Sequence, residues 1–157
     1  MKLGRRLRRT RAGDYQLRLS KAERDLLRSL PGQVRELIDS TDPTDPSVRR
    51  LFPPAYPDEE KAEADYQSLM HDELVEHHRQ ALTVMEETID ADRLEEEQVV
   101  GWLSALNEVR LVLGTNLDVN EGQEPVSPSD PRAPGLALYG YLSWLEEQVV
   151  EALAASL

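Results

Sequence analysis

The chain contains no cysteine. Disulfides, thiolate zinc sites, cysteine nucleophiles and thiol-based redox switches are therefore excluded for this chain's own residues. Aromatic residues are scarce at 5%, with a single Phe, so the interior must be built from Leu, Val and Ala. No run approaches the roughly 18 consecutive apolar residues of a membrane span, and the basic N-terminal segment has no apolar stretch behind it, which leads to an expected cytoplasmic location without membrane contact. Gly-rich phosphate loops, nucleophile elbows and paired-carboxylate signatures are also missing, so no enzymatic activity and no cofactor are expected.

What is present is charge, at 31% of residues, and it is unevenly placed. In residues 1–20, Lys2, Arg5, Arg6, Arg8, Arg9, Arg11 and Arg18 stand against Asp14, a net of +6. The chain's overall −12 then leaves −18 on the remainder. A basic arm on an acidic body suits contact with nucleic-acid phosphates or anionic lipid, or folding back onto its own acidic surface. Arg5, Arg6, Arg8, Arg9 and Arg11 are the candidate nucleic-acid contacts.

A length of 157 residues fits a single domain. Residues 1–19 form the basic arm, and the alternation of Tyr15, Leu17 and Leu19 with Gln16 and Arg18 after Ala12-Gly13-Asp14 predicts a short strand or hairpin there. Ser20 and Glu23 have capping-box spacing, with Leu19 available as a hydrophobic staple. The first helix runs to about Asp39 and is kinked or broken at Pro31-Gly32. Residues 40–57 carry five prolines and read as an extended connector with one helical turn at Ser47 to Leu51.

A helical region starts near Asp58, and Asp72 is placed to cap a fresh helix after a break. Leu74, His78, Ala81, Leu82, Met85 and Ile89 then form an apolar stripe. A long helix from about Leu94 carries Val99, Trp102, Leu103, Leu106, Val109 and Leu113, and Gly114 is suited to end or bend it. Residues 118–134 are polar, proline-rich and aperiodic, a flexible loop. The last helix buries Leu138, Tyr141, Leu142, Leu145, Val149 and Leu153. The expected fold class is mainly α: a single irregular bundle of about five helices with a short N-terminal β-strand or hairpin.

Asn107, Arg110 and Gly114 share one side of their helix, either as an anion or partner-carboxylate site or as a buried Arg satisfied within the fold. Burial without partners would cost several kcal/mol, which favours the second reading. Leu51 to Tyr56, with Phe52 and Tyr56, is either an exposed docking ledge or a lid over the helices; the lid is favoured because it buries the sole Phe. Trp102, Tyr141 and Trp144 suit core packing better than a ligand pocket, and Trp144 lies close enough to the apolar stripe either to pack or to remain partly available to a partner. Glu73 and His77, four apart, and His71 and His78, seven apart, make a metal site geometrically conceivable, but with no HExxH pattern and no cysteine ordinary surface and core histidines are the favoured reading.

Three segments taken together, Leu51-Phe52-Pro53-Pro54-Ala55-Tyr56, the run from Trp102 to Thr115, and Tyr139 to Leu145, resemble an actinobacterial family of small helical proteins of unknown function. The family's genes commonly lie beside that of the ClpS protease adaptor, and some members are named as oxidative-stress transcriptional regulators. The resemblance implies a non-enzymatic regulator that acts by contacting transcription machinery, with DNA contact through the basic arm. An alternative it suggests is an accessory module of Clp proteolysis; a small-ligand-binding bundle is a further reading, and a homodimer is compatible with each. A redox-sensing cysteine pair is part of the regulator picture and is absent here.

Overall fold

A computed structural model of the chain describes residues 4–40, 42, 45–117, 119 and 127–155. Among these, five α-helices carry the fold and a three-stranded antiparallel sheet closes one end. Strands β1 (Leu7–Arg9) and β2 (Tyr15–Leu17) pair with Leu7 opposite Leu17 and Arg9 opposite Tyr15. Their turn places Gly13 at φ 95°, a left-handed conformation that a side chain resists. The expected hairpin therefore forms, and it recruits a third strand, β3 (Arg93–Leu94), with Tyr15 opposite Leu94. Period-2 patterning cannot reveal a strand of two residues.

Helix α1 (Lys21–Arg28) starts at the expected capping box, with both the Ser20 hydroxyl and the Glu23 carboxylate engaged. The chain breaks at Ser29, and α2 (Leu30–Ser40) follows. The break precedes Pro31 because proline is tolerated in the first turn of a helix, where its missing N–H costs nothing. A 3-10 turn at Arg49–Leu51 answers to the expected turn in the connector.

Helix α3 (Glu60–Glu87) is continuous, and Asp72 is an exposed residue within it rather than the cap of a new helix. No Gly or Pro lies between residues 58 and 87, so nothing in the backbone forces a break. Helix α4 (Glu96–Asn116) also runs past the point expected for its end, Gly114. Gly114 serves packing: a Cβ there would sit 3.0 Å from the Tyr139 ring and 3.3 Å from the Arg50 guanidinium. Helix α5 (Ala133–Ala154) begins within the stretch expected to be loop, with Pro134 in its first turn. Of the expected 118–134 loop, residues 118 and 120–126 lie outside the described residues, as do residues 1–3 of the arm and 41, 43 and 44 of the connector.

α4 is the helix around which the others pack, touching α2, α3, α5 and the 3-10 turn. Its Val99, Trp102, Ala105, Leu106, Val109 and Val112 are buried, and α5 adds Leu142, Leu145 and Val149. The buried Trp102 Nε1 donates to Thr88 Oγ1 at 2.7 Å, and Thr88 in turn donates to the Val84 carbonyl. α3 and α4 approach closely at Gly101, where a Cβ would stand 2.8 Å from Val84 Cγ1. Val84 is β-branched and cannot swing aside cheaply. Gly101→Ala, which in an open helix gains up to about 1 kcal/mol, should here lower the denaturation midpoint, and Val84→Ala in the same chain should recover part of the loss; denaturant titration of both variants checks this.

Candidate functional site

Three polar clusters interrupt the apolar packing, and together they hold most of the residues singled out from the sequence. The first joins the N-terminal hairpin to both ends of the chain. Arg6 Nε lies 3.0 Å from both carboxylate oxygens of Glu23. Glu23 also accepts from the Tyr141 hydroxyl at 2.7 Å and from the Ser20 amide at 3.1 Å. The Arg6 guanidinium stands 5.3 Å from the centre of the Trp144 ring, a cation–π distance, and its amide donates to Gln148 Oε1. Burial alone would raise the Glu23 pKa, but the bonds from Tyr141 and Arg6 outweigh it and hold the carboxyl below its ordinary value. Burial and that same carboxylate push the Tyr141 hydroxyl up.

This cluster divides the basic segment. Arg6 is spent on structure and is not free to meet phosphate, while Arg5, Arg8, Arg9 and Arg11 are exposed. Arg8 lies opposite Gln16, which in turn lies opposite Arg93, so the outward row of the sheet is polar. Arg93 pairs with Asp14 at 3.1 Å.

The second cluster is on the α4–α5 seam. Arg110 Nε lies 2.7 Å from Glu146 Oε2, and its NH2 donates to Asn107 Oδ1 at 3.2 Å. Its guanidinium is 6.0 Å from the Tyr139 ring centre. Asn107 and Arg110 meet as their spacing requires, and the guanidinium forms an ion pair with the Glu146 carboxylate of α5. Burial raises the Glu146 pKa, and Arg110 opposes it.

The third cluster lies where the connector crosses α3 and α4. Phe52 is buried, tilted against His71 at 5.1 Å and edge-on to His78 at 5.6 Å, so it acts as the lid. Tyr56 remains 47% exposed, its ring edge-on to Tyr66 and its amide donating to Glu63. Beneath Phe52, His78 Nδ1 lies 2.7 Å from Glu108 Oε1 and Nε2 lies 2.9 Å from the Leu51 carbonyl. A carbonyl only accepts, so Nε2 carries a proton. A further proton lies between Nδ1 and the Glu108 carboxyl.

Glu108 is 2% exposed, and burial raises its pKa, with His78 opposing only in part. For His78 burial acts downward, but the Glu108 hydrogen bond and charge and the Leu51 carbonyl raise the net value. Glu108 did not stand out in sequence. The available signal was a lone acid one helical turn from Ala105 and from Val112, both inward positions. Glu23, apparent only as a capping residue, likewise gave no sign of its links to Arg6 and Tyr141.

Trp102 is core, as expected, and Trp144 is half-buried under Arg6 rather than open. An apolar hollow of about 150 Å³ lies between Leu30, Val34, Leu37, Val112 and Leu138, away from both tryptophans. Among the described residues no group of His, Asp and Glu converges as a metal site, and no helix is long and apolar enough to cross a membrane.

These features define a mainly helical protein closed by a small antiparallel sheet, its polar clusters tied into the packing. The chain belongs to the family described as a domain of unknown function, DUF2017, whose model matches residues 4–153. It is similar to a protein named oxidative stress regulator AosR from Mycobacterium tuberculosis and from Mycobacterium bovis, 28% identical over 177 residues, covering 88% of this chain and 81% of each relative. A Mycobacterium leprae protein named putative oxidative stress regulator AosR is 31% identical over 132 residues, covering 73% of this chain and 61% of that protein. No solved structure matches.

The raised values of His78 and Glu108 have one sign: the folded pair binds protons that the unfolded chain has released. Their stabilisation is in place below the ordinary values of 6.5 and 4.5 and is lost as pH rises through the folded values. The unfolding free energy from denaturant titration should therefore fall as pH rises above those ordinary values, by at most about 1.4 kcal/mol per pH unit for one proton, and Glu108→Gln should flatten that slope.

Proposed function

We propose that this protein is a non-enzymatic regulator of the oxidative-stress response that acts by contact, meeting nucleic acid through the N-terminal hairpin and a protein partner through its helical body. The names of its relatives support the stress role. The observation that carries the contact mechanism is the anchoring of Arg6 by Glu23, Tyr141 and Trp144. It holds the hairpin on the acidic body and leaves Arg5, Arg8, Arg9 and Arg11 facing solvent.

Guanidiniums carried on a fixed hairpin lose less conformational freedom on binding phosphate than those on a loose arm. The body's −18 repels DNA elsewhere, so contact is confined to the hairpin and is short-ranged at physiological salt. Partners on the protein side belong to the transcription machinery. Oxidants are perceived by that partner or by another molecule, because this chain has no thiol to oxidise.

Duplex DNA titrated over a salt series tests this reading. The intact chain should bind at low salt, and replacing Arg8, Arg9 and Arg11 by Ala should reduce the steepness of log K against log salt by about 3. Absence of binding by the intact chain at about 50 mM salt would remove nucleic acid from the function and leave protein contact alone.

A further inference from the structure

The connector is tied to α3 at two points. Glu63 Oε1 accepts from the Ala55 and Tyr56 amides at 2.7 and 2.9 Å. Further back, the Leu51 carbonyl accepts from His78 Nε2 at 2.9 Å, and both Leu51 and Phe52 are buried. Pro53 and Pro54 fix φ between the two points and make the link stiff. The covered state also leaves polar atoms unsatisfied. His71 Nδ1, beside the Phe52 ring, and Gln67 Oε1, one turn before it on α3, are buried without a hydrogen-bond partner among the described residues. Water reaching this face would satisfy both.

His78 stands between two acceptors, the Leu51 carbonyl at Nε2 and the Glu108 carboxyl at Nδ1, 2.7 Å away. While a proton lies between Nδ1 and Glu108, both bonds stand. Once it leaves, a single N–H has to serve both acceptors. Glu108 has the stronger claim, because it is then a buried carboxylate whose Oε2 has no partner among the described residues. An N–H moved to Nδ1 leaves a lone pair on Nε2 facing the carbonyl oxygen, and two acceptors at that distance repel. Added acid does not have this effect, since a neutral carboxyl still accepts from Nδ1–H through its carbonyl oxygen.

Other titratable and charged groups surround the pair. On α3, His71 faces His78 across Phe52, and the exposed His77 ring lies 6.0 Å away, its charge bearing on Glu108 as well. In the 3-10 turn, Arg50 donates to the Val119 carbonyl and Arg49 is exposed. From α2, Asp39 is engaged by Arg79 and Arg35 by Glu86.

We propose that the Leu51–Phe52 segment is a proton-held latch: loss of the proton shared by His78 and Glu108 frees the Leu51 carbonyl and lifts Phe52 off α3, while Glu63 keeps Ala55 and Tyr56 in place. The helices stay packed, because α4 rests on α3 and α5 over far more of its length than on the 3-10 turn. Opening sets Phe52 at the surface near Tyr56, which is already 47% exposed. The latch responds to alkalinity alone and needs neither nucleic acid nor a partner protein.

Phe52 is the only phenylalanine in the chain, so fluorine NMR of the full chain grown with fluorinated phenylalanine follows this side chain in a single resonance. As pH rises from the ordinary histidine value of 6.5, the signal should pass from its buried position towards that of the urea-unfolded chain. The open-to-closed ratio should grow by up to about tenfold per pH unit while circular dichroism retains the full helix content. Nitrogen NMR of the histidines should show the His78 N–H moving from Nε2 to Nδ1 over the same range. Glu108→Gln supplies an amide that donates to Nδ1 without titrating, so Phe52 should stay buried throughout in that variant. A wild-type Phe52 signal that stays buried until helix is lost, a His78 N–H that stays on Nε2, or a Glu108→Gln chain that opens as the wild type does would each overturn the latch. The two wild-type readings decide the matter by themselves if the variant fails to fold.

Discussion

The structure depends on a helix that must be enclosed on nearly every side while carrying a carboxyl group inside. α4 supplies the centre of the packing, and Glu108 sits within it at 2% exposure. An isolated buried carboxylate costs several kcal/mol, so the fold has to bring it a partner. His78 of α3 is that partner, and its second nitrogen is then directed at the Leu51 carbonyl. Phe52 follows Leu51 and closes over both His78 and His71. One buried acid thus sets the pairing of α3 with α4 and the place where the connector crosses them.

The ends of the chain are joined by the same logic at the surface. Arg6, Glu23 and Tyr141 come from the hairpin, α1 and α5, and none of the three is fully satisfied by its own element. Glu23 first caps α1 and then uses its remaining lone pairs on the other two. The capping box is local and costs little to form; the long-range bonds need the helices already packed. A basic segment is thereby converted from an arm into a fixed edge with most of its arginines outward. The acidic body and the basic edge remain separate surfaces.

A good part of the fold was legible in the sequence because the physics there is local. The Ser20–Glu23 box, the hairpin at Gly13, the apolar stripes of α3, α4 and α5 and the turn at Arg49–Leu51 all follow from spacing and backbone preference. Departures came where a local signal met a tertiary one. Asp72 has the chemistry of a cap, yet α3 runs through it because no Gly or Pro interrupts residues 58 to 87 and the stripe from Leu74 to Met85 continues the same helix. Gly114 has the chemistry of a helix end, yet α4 extends past it because Tyr139 and Arg50 need the space a side chain would take. Pro134 suggested loop, yet a proline in a first turn suits α5.

By itself the sequence determined the helical class, the apolar face of each long helix, the division of charge between N-terminal segment and body, and the exclusion of thiol chemistry. Those are properties of composition and of neighbours within a turn or two. Only tertiary structure decided which charges meet. Glu108 with His78, Arg110 with Glu146, and Arg6 with Glu23 are separated by 30, 36 and 17 residues, and no periodicity links them. Tertiary packing likewise decided that Phe52 is covered while Tyr56 is open, and that Val100 and Val150 share a groove. Burial and electrostatic pairing depend on distance in space, and the chain's order encodes that distance only after the helices have packed.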